Sequence, residues 1–137
     1  MVQTNSESDW VILECDKNLC EVEPKIGFPV DGRDYIQLGL SATTQEDSPL
    51  STSKGVISSS RLNKIGHLLG SAGANPGDSG GPCFDMEIGE LVGMNVGCEN
   101  TPIYPDNDTL TDTYNKISSR YAARAHIVPV SSFLFNK

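Results

Sequence analysis

Residues 75–82 read NPGDSGGP, and this stretch decides how the rest of the chain is interpreted. Glycines stand on both sides of Asp78-Ser79 and a proline follows, which predicts a tight turn with Ser79 at its tip. A serine hydroxyl is a weak nucleophile and needs such presentation to attack a carbonyl carbon. The N–H groups of Gly77 and Ser79 can converge on one point beside it, as in an oxyanion hole. The alternative is a glycine-rich hairpin turn with an incidental serine, which glycines at three of these positions argue against.

Outward from this turn, short β-prone runs alternate with turn signals. The chain has 13 Gly and 8 Pro in 137 residues, and no pattern of an amphipathic helix of about ten residues or more, so we expect an all-β fold. The predicted strands are 10–13, 35–40, 53–58, 64–69, 82–85, 90–96 and 125–130, followed by a short helix at 131–136. Six or seven such strands fit a small antiparallel barrel. The polar stretch 99–120 is typical of a functional or mobile loop.

Composition and charge exclude several classes of function. Hydrophobic residues make up 37% and charged residues 20% of the chain, as in ordinary soluble proteins. The net charge of −8 repels phosphate, so we expect neither nucleic acid nor an anionic membrane surface as a partner. No apolar run reaches the ~18 residues of a membrane helix. Residues 1–10 lack the apolar segment of a secretory signal, so the compartment stays unassigned, with an intracellular one slightly favoured.

The four cysteines leave the redox state open. Free thiols are favoured, and at least one disulfide among Cys15, Cys20, Cys83 and Cys98 is the alternative. Cys15 and Cys20 have no third or fourth ligand nearby, so we expect no metal site. The sequence contains no nucleotide-binding loop, and no cofactor is predicted.

Residues 77–82, GDSGGP, resemble the nucleophile signature of the trypsin-like serine proteases of the chymotrypsin fold (PA clan). The wider stretch 75–97 is similar to the HtrA/Deg branch, in which NPG precedes the nucleophile and a strand like GELVGMN follows. The resemblance implies that Ser79 is the nucleophile, that Gly77 and Ser79 supply the oxyanion N–H groups, and that the substrates are proteins or peptides. Asp78 would be the buried aspartate that shapes this loop; the HtrA branch usually has Asn there, which favours the broader trypsin-like group. The implied fold is the C-terminal six-stranded antiparallel Greek-key barrel of the chymotrypsin fold, with a remnant strand of the first barrel and a short C-terminal helix.

A second resemblance lies at residues 8–13, SDWVIL, which are similar to the family's element carrying the triad aspartate. Asp9 would then accept a hydrogen bond from the catalytic imidazole and fix its tautomer; the alternative is an aspartate that merely begins a strand. The implied division is a remnant last strand of an N-terminal barrel with its linker at 1–22, and a C-terminal barrel at 23–137. Without the rest of that first barrel, three apolar side chains of the strand are expected to be exposed: Trp10, Ile12 and Leu13.

The general base is missing from the expected part of the chain. The family orders its triad His, Asp, Ser, yet residues 1–8 contain no histidine. His67 and His126 both follow Asp9; the family topology disfavours a rearranged triad, and we expect His67 to be a surface or half-buried residue. The base is then expected from an upstream part of a longer protein or from a separate N-terminal barrel. A protease-derived pseudoenzyme that binds peptides is the third reading, and in each case the chain alone is predicted to be nearly inactive.

The resemblance also implies a substrate pocket beside the nucleophile. Gly73 stands six positions before Ser79, where trypsin-like specificity needs an acid. Its lack of charge predicts a preference for apolar side chains rather than Lys or Arg before the cut. The predicted lining residues are Gly73, Ala74, Val96, Gly97, Ala125 and His126.

Overall fold

A computed structural model describes residues 3–40, 50–73, 77–98 and 125–134. Within these ranges the chain forms short strands and one short helix. In chain order they are β1 (Gln3–Asn5), β2 (Trp10–Ile12), β3 (Asp34–Gly39), β4 (Ser51–Ser59), β5 (Leu68–Gly70), β6 (Pro82–Asp85), β7 (Leu91–Cys98), β8 (Ala125–Pro129) and α1 (Ser131–Leu134).

Strands β3 to β8 form a closed antiparallel barrel in the order β3-β4-β5-β8-β7-β6, with β6 pairing back onto β3. The predicted six-stranded antiparallel barrel is therefore confirmed. Strands β3, β4 and β5 are sequential neighbours, and the chain then crosses to β6 beside β3. The connection from β5 to β6 contains Ser79, so a barrel strand precedes and another follows the predicted nucleophile.

The barrel interior is filled by residues that alternate along the strands. In β3, every second residue is buried, and Tyr35 and Gln37 point inwards. This period of two is what a strand with one buried face requires. The main core cluster consists of Tyr35, Ile57, Leu68, Ala72, Cys83, Val92, Ala125 and Ile127. Among the cysteines, Cys83 is a buried free thiol, whereas Cys15 and Cys20 are exposed free thiols.

Strands β1 and β2 form a separate hairpin, with Asn5 opposite Trp10. The expectation that Trp10 would be exposed is wrong, because only 7% of the residue is accessible and its ring packs on Phe133 with centroids 5.8 Å apart. Helix α1 therefore contacts the hairpin through Phe133. Ile12 is half-buried and Leu13 is 70% exposed, so the expectation of exposure holds only for Leu13.

The predicted strand at 64–69 begins late, at Leu68. The preceding residues form a turn organised by Asn63, whose Oδ1 accepts hydrogen bonds from the N–H groups of Ile65 at 3.1 Å and His67 at 3.0 Å. Gly66 adopts a φ of 82° within this turn. An asparagine side chain that captures nearby backbone donors competes with strand pairing, which explains the wrong boundary.

The short helix predicted at 131–136 is present over Ser131–Leu134. The prediction for the polar stretch 99–120 lies outside the described residues. In the described part of the chain, no helix is long and apolar enough to cross a bilayer.

Candidate active site

The turn around Ser79 is built on two glycines with left-handed backbones. Gly77 has a φ of 101° and Gly80 a φ of 84°, values that residues with a Cβ rarely adopt. The Gly80 N–H donates to the Asn95 carbonyl at 2.7 Å, and the Gly81 N–H donates to the Asp78 carbonyl at 3.1 Å. The first donor is occupied by β7 and the second within the turn, so Gly80 and Gly81 are unsuited to hold an oxyanion.

Strand β3 packs directly beneath this turn. A Cβ at Gly81 would lie 1.8 Å from the Leu38 carbonyl oxygen, and one at Gly39 would lie 2.2 Å from Asp78 Oδ1. The Leu40 N–H donates to the Gly77 carbonyl at 2.9 Å. The end of β3 therefore fixes the height and direction of the turn, and only glycine fits at the two points of closest approach.

Asp78 lies beneath Ser79 with only 1% of its surface accessible. The Ser51 Oγ donates to its Oδ1 at 3.0 Å, which ties the turn to the start of β4. A buried carboxylate needs such donors because burial without them costs several kcal/mol. The side chain thus anchors the turn from the inside while Ser79 stays exposed.

Asn95 is a second anchor that sequence reasoning missed. Its Nδ2 donates to the Asp78 carbonyl at 3.1 Å, its N–H donates to the Gly81 carbonyl at 2.8 Å, and the residue is fully buried. Its Oδ1 has no hydrogen-bond partner among the described residues. The sequence signal was an asparagine in the otherwise apolar run LVGMNV at 91–96. A buried amide there requires hydrogen-bond partners.

The hydroxyl of Ser79 is directed at the neighbouring strand. Its Oγ donates to the Val96 carbonyl at 2.9 Å, immediately after the Asn95 anchor on β7. The serine proton is therefore held by a neutral backbone acceptor. A nucleophilic attack requires this proton to be handed to a base.

Asp9 and Ser79 line the same cleft, although they are far apart in the chain. The cleft has a volume of about 510 Å³ and runs between the β1–β2 hairpin and the end of β7, where Met94 and Val96 form part of its wall. Asp9 is exposed and has a φ of 58°, the only positive φ at a non-glycine residue in the described ranges. Strained backbone of this kind costs of order 1–3 kcal/mol and clusters at functional sites.

A second groove of about 350 Å³ lies on another side of Ser79. Leu38, Leu40 and Leu50 contribute apolar surface to it, together with Pro82. Both Leu40 and Leu50 are 52% exposed, so the groove offers apolar contact area next to the hydroxyl. The serine thus stands between two concave surfaces.

The predicted pocket residues have different environments. Val96 lines the cleft and Gly97 pairs with His126 in the β7–β8 ladder, while Gly73 is exposed. Ala125 is completely buried within the core cluster, which leaves its methyl group no open surface. Ala74 lies outside the described residues.

The two histidines contact each other rather than Ser79. Their Nδ1 atoms are 3.4 Å apart, and His67 Nε2 donates to the Ser8 carbonyl at 2.9 Å. His67 is only 4% exposed, so the expectation of a surface or half-buried residue is wrong. His67 is buried because the Asn63 turn holds its backbone and the ring lies against Ser8 of the hairpin.

Two buried acids in the barrel are held in their neutral forms. Burial raises the pKa of the Cys83 thiol to about 12 and that of the Tyr35 phenol to about 12. The Tyr35 hydroxyl accepts a hydrogen bond from the Ala72 N–H at 3.1 Å, which fixes the chain just before the nucleophile connection. Neither group is ionised near neutral pH, so Cys83 is not a competing nucleophile.

Among the residues described, no three His, Cys, Asp or Glu side chains are grouped so that they could hold a metal ion. No protein-family model matches this sequence, and curated proteins give no match either.

Proposed function

We propose that this chain carries the nucleophile, the oxyanion hole and the acid of a serine endopeptidase, in a barrel equivalent to the C-terminal Greek-key barrel of the chymotrypsin fold. The observation that carries the proposal is the shared cleft: a serine presented on a glycine-built turn and a strained aspartate line the same cavity. Protein or peptide chains are the proposed substrates.

The reaction needs a base that accepts the Ser79 proton. In the proposed mechanism Ser79 Oγ attacks the peptide carbonyl carbon, and an imidazole between Asp9 and Ser79 takes the proton. The N–H groups of Gly77 and Ser79 stabilise the negative oxygen, and loss of one such donor typically costs about 10²–10³ in rate. The imidazolium then protonates the leaving amine as the C–N bond breaks, and water hydrolyses the acyl-enzyme by the same steps.

We propose that this imidazole comes from outside the 137 residues, either from a preceding barrel of the same protein or from a separate chain. His67 is engaged with Ser8 and His126, which favours this assignment over a rearranged triad. Asp9 would orient the incoming ring through its ring N–H, because an aspartate in this role fixes the tautomer.

A pseudoenzyme that binds peptides is the second candidate. The specific observation in its favour is the hydrogen bond from Ser79 Oγ to the Val96 carbonyl, which holds the proton on a backbone acceptor that is not a base. In that reading the cleft and the apolar groove would hold a peptide without cleaving it.

Chemical rescue with free imidazole separates the two candidates. The full chain is treated with a fluorophosphonate probe while the imidazole concentration is raised; Ser79 Oγ attacks phosphorus, fluoride leaves, and imidazole takes the proton. We expect labelling at Ser79 that increases with imidazole and is abolished in Ser79→Ala. The matched control is Ser58→Ala, an exposed serine on β4. Labelling that does not depend on the imidazole concentration, or that persists in Ser79→Ala, would contradict the peptidase proposal and favour the binding module.

A further inference from the structure

Asp9 has a left-handed backbone conformation, with a φ of 58°. This region is uncommon for L-residues, although aspartate adopts it more readily than most. Such a conformation persists only where the surroundings hold it. The residues on either side show how this is done. Trp10 packs on Phe133, which fixes the residue that follows Asp9.

Ser8, on the other side, is held by three hydrogen bonds. Its N–H donates to Asn5 Oδ1 at 3.0 Å, within the hairpin. Its Oγ donates to the Ile65 carbonyl at 2.7 Å, and its own carbonyl accepts from His67 Nε2 at 2.9 Å. The last two bonds join the hairpin to the turn before β5. The peptide group between Ser8 and Asp9 is therefore oriented by the barrel.

The His67 ring is suited to this task because its protons have defined positions. A carbonyl oxygen can only accept, so Nε2 must carry the proton that bonds Ser8. In the neutral ring Nδ1 then has a lone pair, and the His126 Nδ1 at 3.4 Å must be the donor. The backbone N–H of His67 donates to Asn63 Oδ1, which fixes the main chain that carries the ring. His126 thus selects the tautomer of His67 that bonds the hairpin.

We propose that His67 is a positioning residue for Asp9: by holding the Ser8 carbonyl, it sets the direction of the Asp9 carboxylate in the cleft shared with Ser79. This assignment rests on the proposed peptidase function. His67 exchanges no proton with the substrate, and its effect reaches Ser79 only through Asp9.

The first test reads the tautomers in the unmodified chain. A two-bond proton–nitrogen NMR spectrum at mildly alkaline pH distinguishes Nδ1–H from Nε2–H imidazoles. We expect His67 as the Nε2–H form and His126 as the Nδ1–H form. A His67 ring protonated at Nδ1 alone, or averaging between tautomers, would overturn the proposal without any variant.

The second test is a double-mutant cycle on the imidazole-dependent labelling of Ser79. Each rate is divided by the imidazole-free rate of the same variant, so that general damage to the nucleophile turn cancels. We expect Asp9→Asn and His67→Leu each to lower this ratio by about tenfold, and the double variant to fall no further, since both remove one function. His67→Gln, which keeps an N–H donor near the Nε2 position, should stay within about twofold of the unmodified chain.

The outcomes separate the two levels of the proposal. An unchanged labelling ratio in His67→Leu would contradict the positioning role, and so would losses that multiply in the double variant. Neither result would contradict the peptidase proposal. If the unmodified chain shows no imidazole-dependent labelling of Ser79, the peptidase fails and the positioning role fails with it.

Discussion

Glycine is required at two positions under the nucleophile turn, and the reason is space rather than backbone angle. At Gly39 and Gly81 an added Cβ would collide with Asp78 and with the Leu38 carbonyl, whereas at Gly80 space is open and only the φ of 84° demands glycine. A collision with backbone cannot be relieved by a rotamer change, so these two positions couple β3 rigidly to Ser79.

Gly39→Ala is expected to displace the nucleophile turn. The new Cβ would lie 2.9 Å from Asp78 Cα, so the turn must shift, and the proposed oxyanion donors Gly77 and Ser79 would move with it. We expect imidazole-dependent labelling of Ser79 to fall by about tenfold or more. Gly32→Ala is the control for backbone strain without a collision, because Gly32 has a left-handed φ of 80° but lies in open space. Equal labelling in the two variants would contradict the account.

The three described cysteines should differ sharply in reactivity. Cys15 and Cys20 are exposed, whereas Cys83 is completely buried and its pKa is raised to about 12. Because the thiolate is the reacting form, alkylation of the native chain should modify Cys15 and Cys20 and spare Cys83 until the protein unfolds. Peptide mapping by mass spectrometry measures this directly. Rapid modification of Cys83 under native conditions would show that the barrel opens readily.

The environments of individual residues could be predicted from the sequence in some cases and not in others. The tight turn at Ser79 was identifiable because it is encoded by the glycines next to Ser79. Asn95 was not, because its role depends on β7 lying beside the turn, and β7 follows only after a hairpin. The burial of His67 was mispredicted for the same reason, since Ser8 lies far away in the sequence.

Among the elements, the β1–β2 hairpin is the one whose environment differs most from expectation. Local pattern correctly indicates a strand at Trp10, but it contains no information about helix α1, which packs against it. A two-stranded hairpin alone is marginally stable in water. Its docking on α1 and on the turn before β5 therefore supplies the stability that the hairpin lacks.

The contact between Trp10 and Phe133 can be followed by fluorescence, because Trp10 is the only tryptophan in the chain. Phe133→Ala removes an aromatic partner worth about 0.5–1.5 kcal/mol beyond its area burial. We expect the Trp10 emission to shift to longer wavelength while the circular dichroism of the barrel is unchanged. Leu134→Ala, in the same helix but 39% exposed, is the control and should leave the emission in place. A shift of equal size in both variants would mean that the helix, not the ring contact, buries Trp10.

The molecule as a whole has a pH dependence that follows from its core. The pKa values of Cys83 and Tyr35 are raised by burial from 9.0 and 10.0 to about 12. A raised pKa means that the folded state keeps its proton longer than the unfolded state does. The stabilisation is therefore complete below the unfolded pKa values and is lost as the pH rises through about 9 to 12.

The free energy of unfolding should fall in this window by up to about 1.4 kcal/mol per pH unit for each group. Chemical denaturation at a series of alkaline pH values measures the slope. We expect a shallower slope in Cys83→Ala and in Tyr35→Phe, whatever their effect on absolute stability. Cys15→Ala, which removes an exposed thiol, is the control variant. A slope unaffected by both core variants would show that other groups govern alkaline unfolding.

The sequence by itself determined the glycine-built turn at Ser79, the barrel strands that follow a local alternation, and the acidic surface. These properties depend on neighbours along the chain, where propensity and periodicity act directly. For Asp9 the sequence offered a resemblance, and the tertiary structure put it in the same cleft as Ser79. Only the tertiary structure placed His67 under Ser8 and buried Trp10 on Phe133. Those relations join residues that are distant in the chain, and they arise when barrel closure and hairpin docking place them together, which no local pattern encodes.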